Sequence, residues 1–388
     1  MEFISRITTE TKAAEIVEEL IKGQTDSYDL GVLFVAPQAQ SMAHEIIEIL
    51  KTKLPIRNLI GCTGAGIIGS HAEIERRSAT VLSLAKLPGV KILPFMMNQT
   101  QLEGFKTTDD WYNFFEVYPT EKPIFIALPD SFLFDVSRFL DGLNYAYPGC
   151  PVIGGLASAA SSPGENTLVV NQEERDDGVV GVILTGNVRV DTVVSQGCRP
   201  IGKTYIVTKA EGNMIYALAG RPFAEILVEV LKELSSGDQM LAQEAIFVGI
   251  AMNEYTHEFK RGDFLIRGLM GIDQTSKAGV IADFAQVGQT IQFHLRDAHT
   301  AREDLQSLLL SQQSKESQSK PKGALVFCCN GRGEYLFRQK NHDIEIIQKY
   351  LGPVPAAGFF CAGEIGPVGK NNFLHGFTTS IALFYPRD

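Results

Sequence analysis

Three glycine-rich stretches constrain this chain more than any other feature of its sequence. They lie at 59–69 (LIGCTGAGIIG), 152–161 (VIGGLASAAS) and 357–366 (AGFFCAGEIG). Each ends a short apolar run with glycine and then continues in small residues where a loop must follow. Before each comes a strand-like apolar run and then a helical pattern. Residues 31–36 (GVLFVA) precede Ala39, Met42, Ala43, Ile46, Ile47 and Leu50 at helical spacing. Residues 124–128 precede Phe132, Val136, Phe139, Leu140 and Leu143, and residues 323–329 precede Ile344, Ile347 and Leu351. Continuous apolar runs of this length suit strands covered on both faces, and the spaced ones suit helices lying on a sheet. The unit is therefore strand, helix, strand, glycine loop, strand, and a parallel pair joined through a helix is right-handed.

The expected fold class is α/β, a two-part mixed-sheet architecture. Residues 1–200 hold two repeats; residues 201–388 hold a hairpin region, the third repeat and a polar, mobile loop at 311–322 (SQQSKESQSKPK). Asp130 or Ser131 is the expected cap of the second helix, and Asp297 of the helix that follows it.

A ligand-binding pocket is the first functional reading, because open α/β sheets bind ligands where strands end in glycine loops. No stretch completes a phosphate-binding or dinucleotide fingerprint. The alternative is that these glycines relieve crowding between strands. A net charge of −10 and the lack of a basic cluster argue against nucleic acid. No apolar run is long enough for a membrane span and no signal-peptide pattern opens the chain, so a cytoplasmic location is expected. The six cysteines show no zinc spacing and read as free thiols. Neither a metal nor a cofactor is expected.

Candidate ligand-binding residues stand where strands end. Cys361 and Glu364 lie in the third glycine stretch, and Asn330 and Arg332 follow the Cys328–Cys329 strand end. Cys198 and Arg199 lie in the turn 196–200 (QGCRP), Arg267 within the apolar run 264–269, and Arg296 at the end of 291–295. An arginine in an apolar run needs a carboxylate or a ligand as partner, and its guanidinium fork suits a carboxylate-bearing ligand. His257, His294, His299 and His342 read as solvated.

The motifs QGCRPIG (196–202), FLIRG (264–268), VGQTIQFHLRDA (287–298), ALVFCCNGRG (324–333), VPAAGFFCAGEIG (354–366) and FLHGFTTSIALF (373–384) resemble the FIST (F-box and intracellular signal transduction) proteins. The resemblance runs from about Gly31 to Phe384, with the C-terminal motifs the more specific. It implies paired FIST N and FIST C regions, a sensory role and a small ligand such as an amino acid or a derivative. Relatives carry signalling domains or an F-box; this chain is expected to act alone, through a separate signalling protein. In the first glycine stretch Ile67 stands where the family has an acidic residue, whereas Glu364 keeps the family form. The leading expectation is a non-catalytic small-ligand sensor or adaptor, with the ligand held between the two halves. The alternative is a thiol- or carboxylate-dependent enzyme, with Cys198 and Cys361 as its nucleophile candidates.

Overall fold

The computed structural model describes residues 1–244, 246–315 and 320–387. The chain is an α/β protein of mixed sheets with two compact units, Met1–Val194 with Gln306–Asp388, and Ser195–Leu305. The expected halves, 1–200 and 201–388, follow chain order. The units do not, because the third repeat folds with the first two and leaves the intervening residues as a unit of their own.

All three repeats have the expected core. In the first, the lead strand Leu30–Val35 runs parallel to Leu59–Thr63 across the helix Ala43–Lys53, and antiparallel to the return strand Thr80–Lys86. In the second, Ile124–Pro129, the helix Val136–Ala146, Val152–Gly155 and Val179–Gly186 repeat this plan. The third uses Gly323–Cys329, the helix His342–Leu351, Ala356–Cys361 and Thr378–Tyr385. One glycine holds the same register in each second strand: Gly61 beside Leu33, Gly154 beside Ala127 and Gly358 beside Val326. A Cβ there would stand 2.2, 1.8 and 1.8 Å from the neighbouring carbonyl oxygen, so these glycines do relieve crowding between strands.

Two of the three glycine stretches are strands rather than loops. After a tight link the chain re-enters a strand at Gly66–Gly69 in the first repeat and at Glu364–Val368 in the third; only the second has a long loop. Each of these strands opens a hairpin that joins the sheet of a different repeat. The hairpin of Gly66–Gly69 and Glu73–Glu75 pairs with Ala356–Cys361 of the third repeat. That of Leu168–Val170 and Glu173–Arg175 pairs with Leu59–Thr63 of the first. That of Glu364–Val368 and Asn371–His375 pairs with Val152–Gly155 of the second. The exchange is cyclic: first to third, third to second, second to first. With Glu2–Thr8, Val90–Met97 and Arg189–Gln196 beside the three return strands, the sheets share one six-strand order.

The inner faces of the three sheets bury Phe34, Leu128, Phe327 and Phe359 in a common core, each phenylalanine contributing about 2–3 kcal/mol. On the helix-facing sides Leu33, Ile46 and Leu50 pack in the first repeat, and Phe125, Phe139 and Leu143 in the second. The second repeat's helix starts later than the sequence suggests. Its cap is Asp135, which accepts from the Arg138 N–H at 3.0 Å, so Phe132 precedes the helix and is exposed. Asp130 instead is buried and accepts from the Phe132 and Leu133 N–H groups.

In the Ser195–Leu305 unit an antiparallel sheet closes on itself, since Cys198–Glu211 pairs with both Thr290–Arg296 and Met214–Leu218. Gly212, at φ +59°, makes the expected hairpin turn. Val207, Phe223, Val248 and Phe293 fill its core. Asp297 caps the following helix, accepting from the His299 N–H at 2.9 Å and the Thr300 hydroxyl at 2.8 Å. That helix, Ala298–Lys315, runs on into the segment expected to be a loop, because Leu305 and Leu309 anchor it by burial. Residues 316–319 of that segment lie outside the described residues.

Candidate functional site

The ends of the three second strands bond to one another. The Ser158 N–H donates to the Thr63 carbonyl at 3.1 Å, and the Ala362 N–H to the Leu156 carbonyl at 3.2 Å. The third contact runs through a side chain: the Ala65 N–H donates to Ser158 Oγ, which donates to the Phe360 carbonyl at 2.5 Å. These backbone donors, which a glycine loop would otherwise offer to an anion, are engaged within the protein.

Of the carboxylates buried near this junction, Glu364 and Asp343 pack against opposite faces of the third sheet's return strand. Glu364 lies on the inner face and is fully buried. Thr378 donates to its Oε2 through both N–H (3.0 Å) and hydroxyl (2.6 Å), and Cys361 Sγ lies 3.5 Å from its Oε1. Burial pushes the carboxyl up to about 7 against the pull of the Thr378 bonds. The register shows why it stands out: the matching positions in the other two hairpins are Ile67 and Leu168, both apolar.

Asp343 lies on the helix-facing side, in the first turn of His342–Leu351. Arg332 holds it by two hydrogen bonds, Nε to Oδ2 at 2.8 Å and Nη2 to Oδ1 at 3.0 Å. His342 Nδ1 lies 2.8 Å from Oδ1, and the Thr379 hydroxyl (2.8 Å) and the Cys328 thiol (3.1 Å) donate to Oδ2. Burial would raise the Asp343 carboxyl, but the Arg332 charge and these bonds outweigh it and hold it well below the carboxylate range. Arg332 is fully buried over the Phe337 ring, and its Nη1 has no hydrogen-bond partner among the described residues. His342 stacks on Phe337 at 3.4 Å between ring centroids. Thr378 and Thr379 are consecutive strand residues and so point to opposite faces, linking the Glu364 and Asp343 sites through one strand.

The structure thus gathers Arg332, Cys361 and Glu364 around one strand end, with Asn330 nearby but exposed. The other four candidates belong to the Ser195–Leu305 unit. Cys198 is buried and faces Arg296 across the strand pair. Arg199 bonds Asp297 (3.1 Å) and Asp238, and Arg267 bonds Asp283. Each of these two arginines therefore has the carboxylate partner that its setting demands. Two histidines expected to be solvated are buried: His342, in the network above, and His294, which burial lowers to about 4. All six cysteines are buried free thiols, and burial raises Cys62, Cys328 and Cys361 well above the usual thiol range.

Sequence reasoning missed Asp343, Thr378, Thr379 and Glu73. Glu73 reaches this cluster from the first repeat's hairpin; the Ile344 N–H donates to its Oε1 at 2.7 Å. The one available signal was FTTSIALF, in which two threonines interrupt an otherwise apolar strand. Two cavities lie elsewhere. One of about 730 Å³ is lined by Leu50, Ile56, Arg57, Phe95, Val170 and Glu173, and one of about 580 Å³ by Gln40, Glu165, Thr167, Glu174 and Arg175. None of the eight candidate residues lines either. No helix among the described residues is long and apolar enough to cross a membrane.

Comparison with known proteins matches residues 29–221 to the FIST N domain and 224–367 to the FIST C domain. FIST domains are sensory domains of signal transduction. An uncharacterized Mycobacterium tuberculosis protein is 37% identical over 373 residues, covering 96% of this chain and 95% of that protein. An uncharacterized Mycobacterium bovis protein is 36% identical, with 96% and 94% covered. An uncharacterized protein of the archaeon Methanocaldococcus jannaschii is 25% identical over 230 residues, which is 56% of this chain and 44% of that one.

Proposed function

This chain belongs to the FIST family, and on that premise we propose that it is a non-catalytic sensor of a small polar ligand that reports to a separate signalling protein. The observation that carries the non-catalytic reading is the state of the thiols. A nucleophilic cysteine needs access and a lowered pKa, whereas Cys198 and Cys361 are fully buried and burial drives the Cys361 thiol upward. Glu364, at about 7, has the acidity of a general base and so favours a carboxylate-dependent enzyme as second reading. Its complete burial, with Thr378 occupying one oxygen, favours a structural role.

An amino-acid-like ligand is the class proposed. Arg267 and Asp283 form an ion pair whose side chains are 13% and 33% exposed. A guanidinium beside a carboxylate complements the two charges of a zwitterion, and neither needs to be deeply desolvated first. Thermal-shift measurements with amino acids and other small acids test this reading. A ligand at about 100 times its Kd adds about 2.7 kcal/mol of stability, and the corresponding rise in Tm is expected to vanish in Arg267→Ala. A rise that persists in that variant removes the site assignment. One fast-labelling thiol in pH-dependent alkylation would move the conclusion to a thiol enzyme.

A further inference from the structure

We propose that the hairpin of residues 66–75 is a pH-responsive latch, seated on the third repeat by the neutral carboxyl group of Glu73 and loosened when that group ionises. The hairpin belongs in sequence to the first repeat, yet it forms the edge of the third sheet. Its outer strand, Glu73–Glu75, is three residues long and is the last in the sheet. So short an edge strand depends on its side-chain ties. The Ile344 N–H donates to Glu73 Oε1 at 2.7 Å, the Glu73 N–H to Asn341 Oδ1 at 2.8 Å, and the Glu334 N–H to Glu75 Oε1 at 2.8 Å. Gly333, at φ +64°, leaves room for the Glu75 carboxyl, which lies 2.3 Å from where a Cβ would stand. The hairpin thus grips the start of the third repeat's helix and the turn before it.

The charges around Glu73 decide its state. Glu75 lies on its own strand, while Gly66–Gly69, the other strand of the hairpin, carries no charge. The helix His342–Leu351 presents His342 and Asp343; the turn before it presents Arg332 and Glu334, and the lead strand presents Cys328. Among the described residues Arg332 is the cation whose charge favours an ionised Glu73, and its Nε and Nη2 are committed to Asp343. A second buried anion would therefore have to share one cation with Asp343, leaving a net negative charge buried. Burial first, and then the Asp343 charge, push Glu73 up to about 8, against the Ile344 N–H bond. Because this value is raised above that of an unfolded chain, the seated hairpin is most stable at low pH. The share of its stability that neutral Glu73 contributes falls as pH rises from about 4.5 and is lost once pH passes the raised value. Opening the latch uncovers the edge of Ala356–Cys361, the strand that leads to Cys361 and Glu364.

Arg76 and Arg77 follow the outer strand and are exposed, which places a tryptic site at the hinge. The full-length protein is digested between pH 7 and 9, cleavage after Arg76 and Arg77 is followed by mass spectrometry, and rates are normalised to an unstructured peptide. The wild-type rate is expected to rise about tenfold, the factor for one pH unit of linkage. In Glu73→Gln, which keeps the acceptor for Ile344 but cannot ionise, it is expected to stay flat. A flat wild type, or a parallel rise in Glu73→Gln, overturns the proposal. Should that variant fail to fold, hydrogen exchange of the wild type decides, after correction for intrinsic rates. Protection lost with rising pH in 66–75, but kept in 124–129, supports the latch; loss in both or in neither overturns it.

Discussion

The third repeat and the first two share one backbone plan but differ in what they bury at its end. Where Cys328 faces the helix of the third repeat, the register puts Val35 in the first and Pro129 in the second. Where Thr379 pairs with it, the return strands carry Thr80 and Val179. Two repeats close this corner with apolar or weakly polar side chains, and the third closes it with a buried charge network. The same frame tolerates both solutions because strand pairing, not the corner, fixes its geometry. A buried ion pair is weak evidence for stability, since desolvation cancels most of the attraction. Its value in the third repeat lies in joining the helix, the lead strand and a hairpin from another repeat.

That contrast is most strongly broken at Asp343. Asp343→Ala leaves Arg332 buried without its counter-charge and is expected to cost about 3–5 kcal/mol in urea denaturation. Replacing both partners, as Arg332→Met with Asp343→Leu, is expected to recover most of that loss, making the third corner resemble the first two. Thr379→Val removes one donor to Asp343 and is expected to cost about 1–2 kcal/mol in the same assay. Thr80→Val should have the opposite sign. The Thr80 hydroxyl is buried with no hydrogen-bond partner among the described residues, and the second repeat already has valine there. A gain of about 0.5–1 kcal/mol is expected. Equal losses at Thr80 and Thr379 would show that the two corners are not distinct.

Much of this plan was legible in the sequence. The apolar runs, the helical spacings and the recurrent glycine mark each parallel pair and its helix, since these depend on neighbours within about thirty residues. The candidates Arg332, Cys361 and Glu364 stood out as polar groups in small-residue or apolar contexts. The hairpin exchange did not show. Residues 66–69 (GIIG) and 364–368 (EIGPV) are too short to read as strands, and their partners lie far away in the chain. Asp343 was hidden for another reason: an acid in the first turn of a helix ordinarily faces water and complements the dipole. Only the tertiary fold reveals that a buried arginine reaches it.

The cyclic exchange has a consequence for how the protein is made. On the ribosome, residues 66–75 emerge long before 356–361, the strand that receives them. At about 5–20 residues per second, the intervening 280 or so residues take roughly 15 to 60 s to synthesise. Throughout that interval the nascent first repeat carries a hairpin with no acceptor, and until residues 168–170 emerge its second strand also lacks its donated neighbour. Edges left open in this way invite pairing with other chains. The first sheet is sealed once residues 168–175 emerge, and completion of the third repeat is the event that seals the other two.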